Sequence, residues 1–137
     1  MARASAGTRR ATRRRWRDYK TSSGRSPVAR FIDELSDPDA ASVLAAMEDV
    51  RERGLRAARR LDDEIWEVRA DGDRVIYRVL FAPEGSHGQV LLALEAFSKK
   101  TQKTPPSTVK LARRRLMDWR RRGDAKREAR GRHPRHR

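Results

Sequence analysis

The side chains in this sequence best suited to chemistry are arginines and lysines. Arg69 and Arg78 lie on two consecutive strand-like segments, and three lysines follow the next one: Lys99, Lys100 and Lys103. Strands joined by a tight turn pair antiparallel, so we expect these cations to gather around one concave sheet surface. Guanidinium groups hold phosphate with two parallel N–H donors. The pattern therefore predicts a phosphate site on the sheet.

The position of the turn decides how the two arginines align. Residues 71–73 (DGD) are a typical hairpin turn, which predicts that Arg69 and Val75 flank it. Arg78 would then pair near Glu67 or the residue before it, a strand step or two from Arg69.

Two interpretations of Arg78 remain open. It lies between Tyr77 and Val79 in an apolar strand, and a buried charge needs a partner. The structural interpretation is a cross-strand ion pair with Glu67 or Glu95. The functional interpretation is a phosphate contact, which the nearby lysines favour, although a lysine run by itself is most often a solvated strand end.

The residues of other catalytic chemistries are missing. Without cysteine, disulfides and thiolate zinc sites are excluded. His87 lies in a turn and His133 and His136 lie near the end of the chain, none at metal-ligand spacing. No glycine-rich phosphate loop occurs. We therefore expect no metal, no cofactor and no serine–histidine catalysis.

The charge of the chain is unevenly distributed. Residues 1–25 carry +8, residues 26–98 carry −6 and residues 99–137 carry +13, within a total of +15. Cationic ends around an acidic body are typical of a protein that binds a polyanion, although solubilising disordered ends would look the same. The lack of a signal peptide, a membrane span and cysteine predicts a cytoplasmic protein with no membrane partner.

Capping and turn residues divide the chain into seven elements. Strands are predicted near Trp16 and at 65–69, 75–81 and 90–97, and helices at 26–35, 39–53 and 107–122, the last ending at Gly123. This β-α-α-β-β-β-α order predicts an α+β fold with a curved, mainly antiparallel sheet and helices on one side. We expect one domain at 16–122, a flexible basic arm at 1–15 and a basic tail at 123–137.

Three runs resemble a known family. They are Ile65–Arg69 (IWEVR), Tyr77–Val79 (YRV) and Ala96–Pro105 (AFSKKTQKTP), followed by a helix with Ala112 and Trp119. Together they are similar to the HigB-like branch of the RelE/ParE toxin superfamily, also found as phage-derived proteins. The resemblance covers roughly residues 16–122.

The resemblance implies a RelE-like microbial ribonuclease fold and the toxin of a type II toxin–antitoxin pair. Such toxins are metal-independent endoribonucleases that cleave mRNA, typically on the ribosome, in the cytoplasm. The implied partner is a cognate antitoxin, usually a HigA-like helix-turn-helix repressor.

The resemblance also implies roles for individual residues. Arg69, Arg78, Lys99 and Lys100 would be catalytic, and three residues would contact the RNA: Arg74, Phe97 and Lys103. Glu67 is a further candidate. The RNA 2′-hydroxyl would attack the neighbouring phosphorus, and the cations would stabilise the charge that develops there. Since the site offers no histidine, we expect a lysine with a pKa lowered by nearby arginines to act as the base.

Two other functions stay open at this point. A ParE-like toxin would poison DNA gyrase and cut no RNA. A non-catalytic binding protein would grip nucleic acid with its basic termini and use the sheet as a scaffold.

Overall fold

The computed structural model describes residues 13–99 and 103–132. Within them lie five strands, three α-helices and one 3-10 turn. In chain order they are β1 (Arg15–Asp18), α1 (Pro27–Asp33), α2 (Asp37–Arg53), the 3-10 turn (Gly54–Ala57), β2 (Arg59–Arg60), β3 (Trp66–Asp71), β4 (Ile76–Glu84), β5 (Val90–Lys99) and α3 (Pro106–Arg132). The predicted α+β fold is confirmed, and the short strand β2 is an addition to it.

The strands form one open sheet in the order β1-β5-β4-β3-β2. β1 runs parallel to β5, and every other neighbouring pair is antiparallel. The predicted meander of three strands is therefore present as β3, β4 and β5. Because β1 lies beside β5, residues 15–18 pair with residues 90–93 at this edge of the sheet.

α1 and α2 cover one face of the sheet. The hydroxyls of Ser26 and Ser36 cap the two helices, each accepting a backbone N–H at 3.4 Å. α2 begins at Asp37, two residues before its predicted start. A proline occupies the first turn of both helices. The two helices and the sheet share one apolar cluster, whose most buried members are Val28, Val43, Val50, Val79, Phe81, Leu91 and Ala93.

The expectation that all helices lie on one side of the sheet is wrong, because α3 covers the opposite face. Ala112 and Leu116 pack there against Leu80, Leu92 and Leu94. The reason is the side-chain alternation of the two central strands, which are apolar on both faces. Helices on a single face would leave these leucines in water.

The predicted helix end at Gly123 is also wrong, since α3 continues to Arg132. Gly123 keeps a helical backbone. A glycine ends a helix when it adopts a left-handed conformation, as Gly54 does after α2 with φ 79°. A glycine after the last large apolar residue of α3 was therefore insufficient to predict where the helix ends.

Ion pairs hold α3 on the sheet on both sides of a narrow apolar stripe. They join Arg113 to Asp62, Arg115 to Glu95 at 3.1 Å, and Arg120 to Glu64 and Glu84, each at 2.7 Å. Hydrogen bonds to Glu84 and Glu64 raise the pKa of Arg120. These arginines therefore have a structural role.

The β3–β4 hairpin turns later in the chain than predicted. Asp71 pairs with Ile76, the N–H of Gly72 donates to the carbonyl of Val75 at 3.0 Å, and Arg74 has φ 67°. The turn is thus centred on residues 73–74. The ring of Tyr77 explains why position 72 is glycine, since a Cβ there would lie 2.2 Å from Tyr77 Cε2.

We expect Gly72→Ala to destabilise the protein by about 1–3 kcal/mol, because the added methyl group must displace the Tyr77 ring. The free energy of unfolding, measured with denaturant, tests this. In a Tyr77→Leu background the same substitution should cost less, because the ring is absent. Equal costs in the two backgrounds would contradict the explanation.

Candidate functional site

The predicted cations of the sheet share the face that α3 covers. Arg69 lies directly opposite Arg78, and Arg78 lies directly opposite Phe97 on the next strand. Lys99 follows on the same face, opposite Ile76. The predicted convergence of Arg69 and Arg78 is therefore present. Their predicted offset is wrong, because the later turn shifts the register.

A buried carboxylate lies between the two arginines. The side chain of Glu67 has no exposed surface, and its Oε1 accepts a hydrogen bond from Arg69 Nε at 2.8 Å. Its Oε2 lies 3.9 Å from Arg78 Nε. One negative charge is thus shared by two guanidinium groups.

Thr104, in the segment before α3, completes this network. Its hydroxyl donates to Glu67 Oε2 and accepts from Arg78 Nη1 at 3.3 Å. Because Glu67 is on β3, Arg78 on β4 and Thr104 beyond β5, the network ties three parts of the chain together. We call these four residues, Glu67, Arg69, Arg78 and Thr104, the buried network.

Arg78 is the innermost member. Its side chain has no exposed surface, so it makes no direct contact with a ligand in this conformation. Burial lowers its pKa, and the charge of Glu67 opposes that effect. Of the two interpretations left open by the sequence, the structure shows the ion pair with Glu67, while Glu95 pairs with Arg115 instead.

Arg69 connects the buried network to an open groove between the sheet edge and the start of α3. The cavity has a volume of about 390 Å³. Five cations line it: Arg59, Arg69, Lys103, Lys110 and Arg113. The one acidic residue along it, Asp62, pairs with Arg113. We call this cavity the cationic groove.

The remaining predicted residues lie elsewhere. Phe97 is half-buried and packs against the core under α3. Arg74 is exposed at the tip of the hairpin, and Lys99 is exposed at the end of β5. Neither lines the cationic groove. Lys100 lies outside the described residues.

Sequence reasoning missed three cations of the groove: Arg59, Lys110 and Arg113. Arg59 reaches the site because β2 pairs it with Glu67, and a strand of two residues has no recognisable periodicity. Lys110 and Arg113 lie in the first turns of α3, and only the packing of α3 on this face brings them to the groove. The available signal was that Lys110 and Arg113 are three residues apart and therefore lie on the same face of the helix.

A family model with the description "Phage derived protein Gp49-like (DUF891)" matches residues 30–117. The chain belongs to this family. Gp49-like proteins are a RelE-like, toxin-like family. The matched segment contains the entire buried network and all lining residues of the cationic groove. No curated protein matches the chain in sequence.

Two further observations concern the part of the chain that the structure describes. No helix there combines the length and the apolar composition required to cross a membrane. Nor does any group of three histidine, cysteine or acidic side chains in residues 13–99 and 103–132 come together as a metal site.

We expect Thr104→Val to lower the free energy of unfolding by about 1–3 kcal/mol, because it removes a hydroxyl that two buried charges use. Thr108→Val is the matched control, since no described residue bonds the Thr108 hydroxyl; it should change stability by less than about 0.5 kcal/mol. Glu67→Gln should cost more than either, about 3–5 kcal/mol, because a buried guanidinium loses its counter-charge. Equal effects of the two threonine variants would contradict the network.

Proposed function

We propose that this Gp49-like protein is the toxin of a type II toxin–antitoxin pair and a metal-independent endoribonuclease that cleaves mRNA on the ribosome. The single observation that carries the proposal is the placement of Arg69. One side of its guanidinium is held by buried Glu67, and the side chain, 28% exposed, borders a groove lined by four further cations.

A phosphodiester is the ligand that such a groove fits best. Among the described residues, Arg59, Lys103 and Lys110 have no ion-pair partner and remain available for an anion. Phosphate oxygens accept bidentate hydrogen bonds from guanidinium and single ones from ammonium. The groove is open to solvent, as required for a polymer.

The proposed reaction is the transfer of the phosphoryl group within the RNA backbone. The 2′-oxygen forms a bond to phosphorus while the bond from phosphorus to the 5′-oxygen breaks, leaving a 2′,3′-cyclic phosphate and a 5′-hydroxyl. Negative charge grows on the non-bridging oxygens and on the leaving oxygen. Arg69, fixed by Glu67, stabilises that charge without having to reorganise.

Arg78 acts as a positioning residue in this proposal. It is buried, and through Thr104 and Glu67 it supports the orientation of Arg69. The loop that carries Thr104 also carries Lys103, so the same network positions a lysine at the groove.

Proton transfer is assigned to a lysine, which takes the proton of the attacking 2′-hydroxyl and returns a proton to the leaving 5′-oxygen. Lys103 lines the groove together with Arg69, whereas Lys99 lies at the end of β5. Lys103 is the first candidate because it lines the groove. Lys99 and Lys100, which precede it in the chain, are the next.

The proposed partners follow from the same assignment. A cognate antitoxin of the helix-turn-helix kind would neutralise the toxin by covering the cationic groove. The ribosome would present the message, and its RNA would attract the basic chain in a strongly salt-dependent manner.

We expect Arg69→Ala to reduce cleavage on the order of 10²–10³-fold, the effect of losing one preorganised donor to a developing anion. The assay is in vitro translation of a defined message followed by primer extension, with growth arrest on induced expression as the cellular readout. Arg56→Ala, which removes an exposed arginine after α2, is the control and should keep wild-type cleavage.

Other results would overturn the proposal. Wild-type protein that leaves the message intact is not this nuclease, and gyrase-dependent DNA breaks would assign it to the ParE-like class. Arg69→Ala protein that folds and cuts normally would remove Arg69 from the catalytic site.

A further inference from the structure

A second groove lies between β1 and the C-terminal half of α3. Its volume is about 660 Å³. It is lined by Trp16, Arg17, Asp18, Lys20, Trp119, Arg122, Gly123 and Lys126. We call it the β1–α3 groove. Four of these residues are cationic and one is acidic.

Three of the cations are available to a ligand. Arg17, Lys20 and Lys126 are exposed, and none has an ion-pair partner in residues 13–99 and 103–132. This differs from the arginines that hold α3 on the sheet, which are paired with carboxylates. Unpaired cations gathered in one concavity create a local positive potential that attracts anions.

The groove is built by specific contacts. Arg122 Nη2 donates to the carbonyl of Lys20 at 2.5 Å and to Asp118 Oδ2 at 2.6 Å. Tyr19 donates to the same carboxylate at 2.7 Å, and the Arg122 guanidinium lies 5.2 Å from the centroid of the Tyr19 ring. These contacts join the end of β1 to α3, so the two walls of the groove keep a defined separation.

The groove lies outside the segment that matches the Gp49-like family. The match covers residues 30–117, whereas the groove is built from residues 16–20 and 119–126. It is also remote from the cationic groove. Lys110 and Lys126 are sixteen residues apart on one helix, which at 1.5 Å per residue is about 24 Å. The same helix thus forms a wall of both cavities.

We propose that the β1–α3 groove docks the phosphate backbone of structured RNA, separately from the strand that is cut. This rests on the proposed function, which brings the protein to the ribosome. The RNA is favoured over a membrane because the cations line a concavity, which a projecting phosphate backbone enters and a flat lipid surface does not. A membrane-bound helix would also present an apolar face, and the groove has only two half-buried indoles.

The test uses the full chain and vacant ribosomes, which carry no message to cut. The variant combines Arg17→Gln, Lys20→Gln and Lys126→Gln. We expect its affinity for ribosomes at about 0.15 M salt to fall on the order of tenfold or more. The slope of log affinity against log salt should become shallower by about 2–3, for three lost phosphate contacts at roughly 0.7–0.9 each.

The matched control combines Arg30→Gln, Arg53→Gln and Arg56→Gln, which removes the same charge from exposed positions on the α1–α2 side. It should bind ribosomes nearly as the wild type does. Equal losses in the two variants would reduce the effect to net charge and overturn the proposal. Unchanged ribosome binding by the groove variant would overturn it too. So would a groove variant that binds ribosomes normally and loses only its binding to phosphatidylserine vesicles.

Cleavage kinetics separate docking from chemistry. On translating ribosomes the groove variant should show a raised KM and an unchanged kcat, whereas loss of kcat would place the groove in the catalytic machinery and overturn the proposal. If the wild type cuts no message but the groove variant alone loses ribosome binding, the docking surface stands and the nuclease assignment fails.

Discussion

One carboxylate, that of Glu67, offsets the charge of two guanidinium groups inside the protein. Arg78 has no exposed surface, and its burial among apolar strands would be strongly unfavourable without a counter-charge. The hydroxyl of Thr104 bonds both the acid and the buried arginine, so the segment before α3 is fixed by the same contact. A buried ion pair adds less stability than an apolar core would, but it orients its members. The member that it orients toward solvent is Arg69, and the cationic groove is arranged around that residue.

The basic residues of the long helix α3 are of two kinds, those paired with carboxylates and those that line a cavity without a described partner. Arg113, Arg115 and Arg120 pair with carboxylates of the sheet and of the loop before β3. The cations that line cavities without a partner among the described residues, such as Lys110 and Lys126, are the ones positioned for an anionic ligand. Net charge by itself therefore says little about function, because paired and unpaired arginines are alike in composition.

The Gp49-like match covers one of the two grooves. The match spans the buried network and the cationic groove. The edge strand β1 and the outer half of α3 lie beyond it, yet they build a second concavity of comparable electrostatic character. In the proposed arrangement, the cationic groove binds the RNA strand that is cut, and the β1–α3 groove binds the structured RNA of the ribosome that presents this strand.

The sequence by itself determined the element order, the capped starts of α1 and α2, the meander and the two arginines on one face, because these follow from local periodicity and capping. Tertiary structure decided the rest. Alternating side chains on β4 and β5 made both faces apolar, so α3 had to cover the face that a one-sided layer would expose. The Tyr77 ring over Gly72 accompanied a turn centred on residues 73–74, which aligned Arg69 with Arg78. Pairing of β2 and packing of α3 added Arg59, Lys110 and Arg113 to the groove, since distant segments meet there only through the closed core.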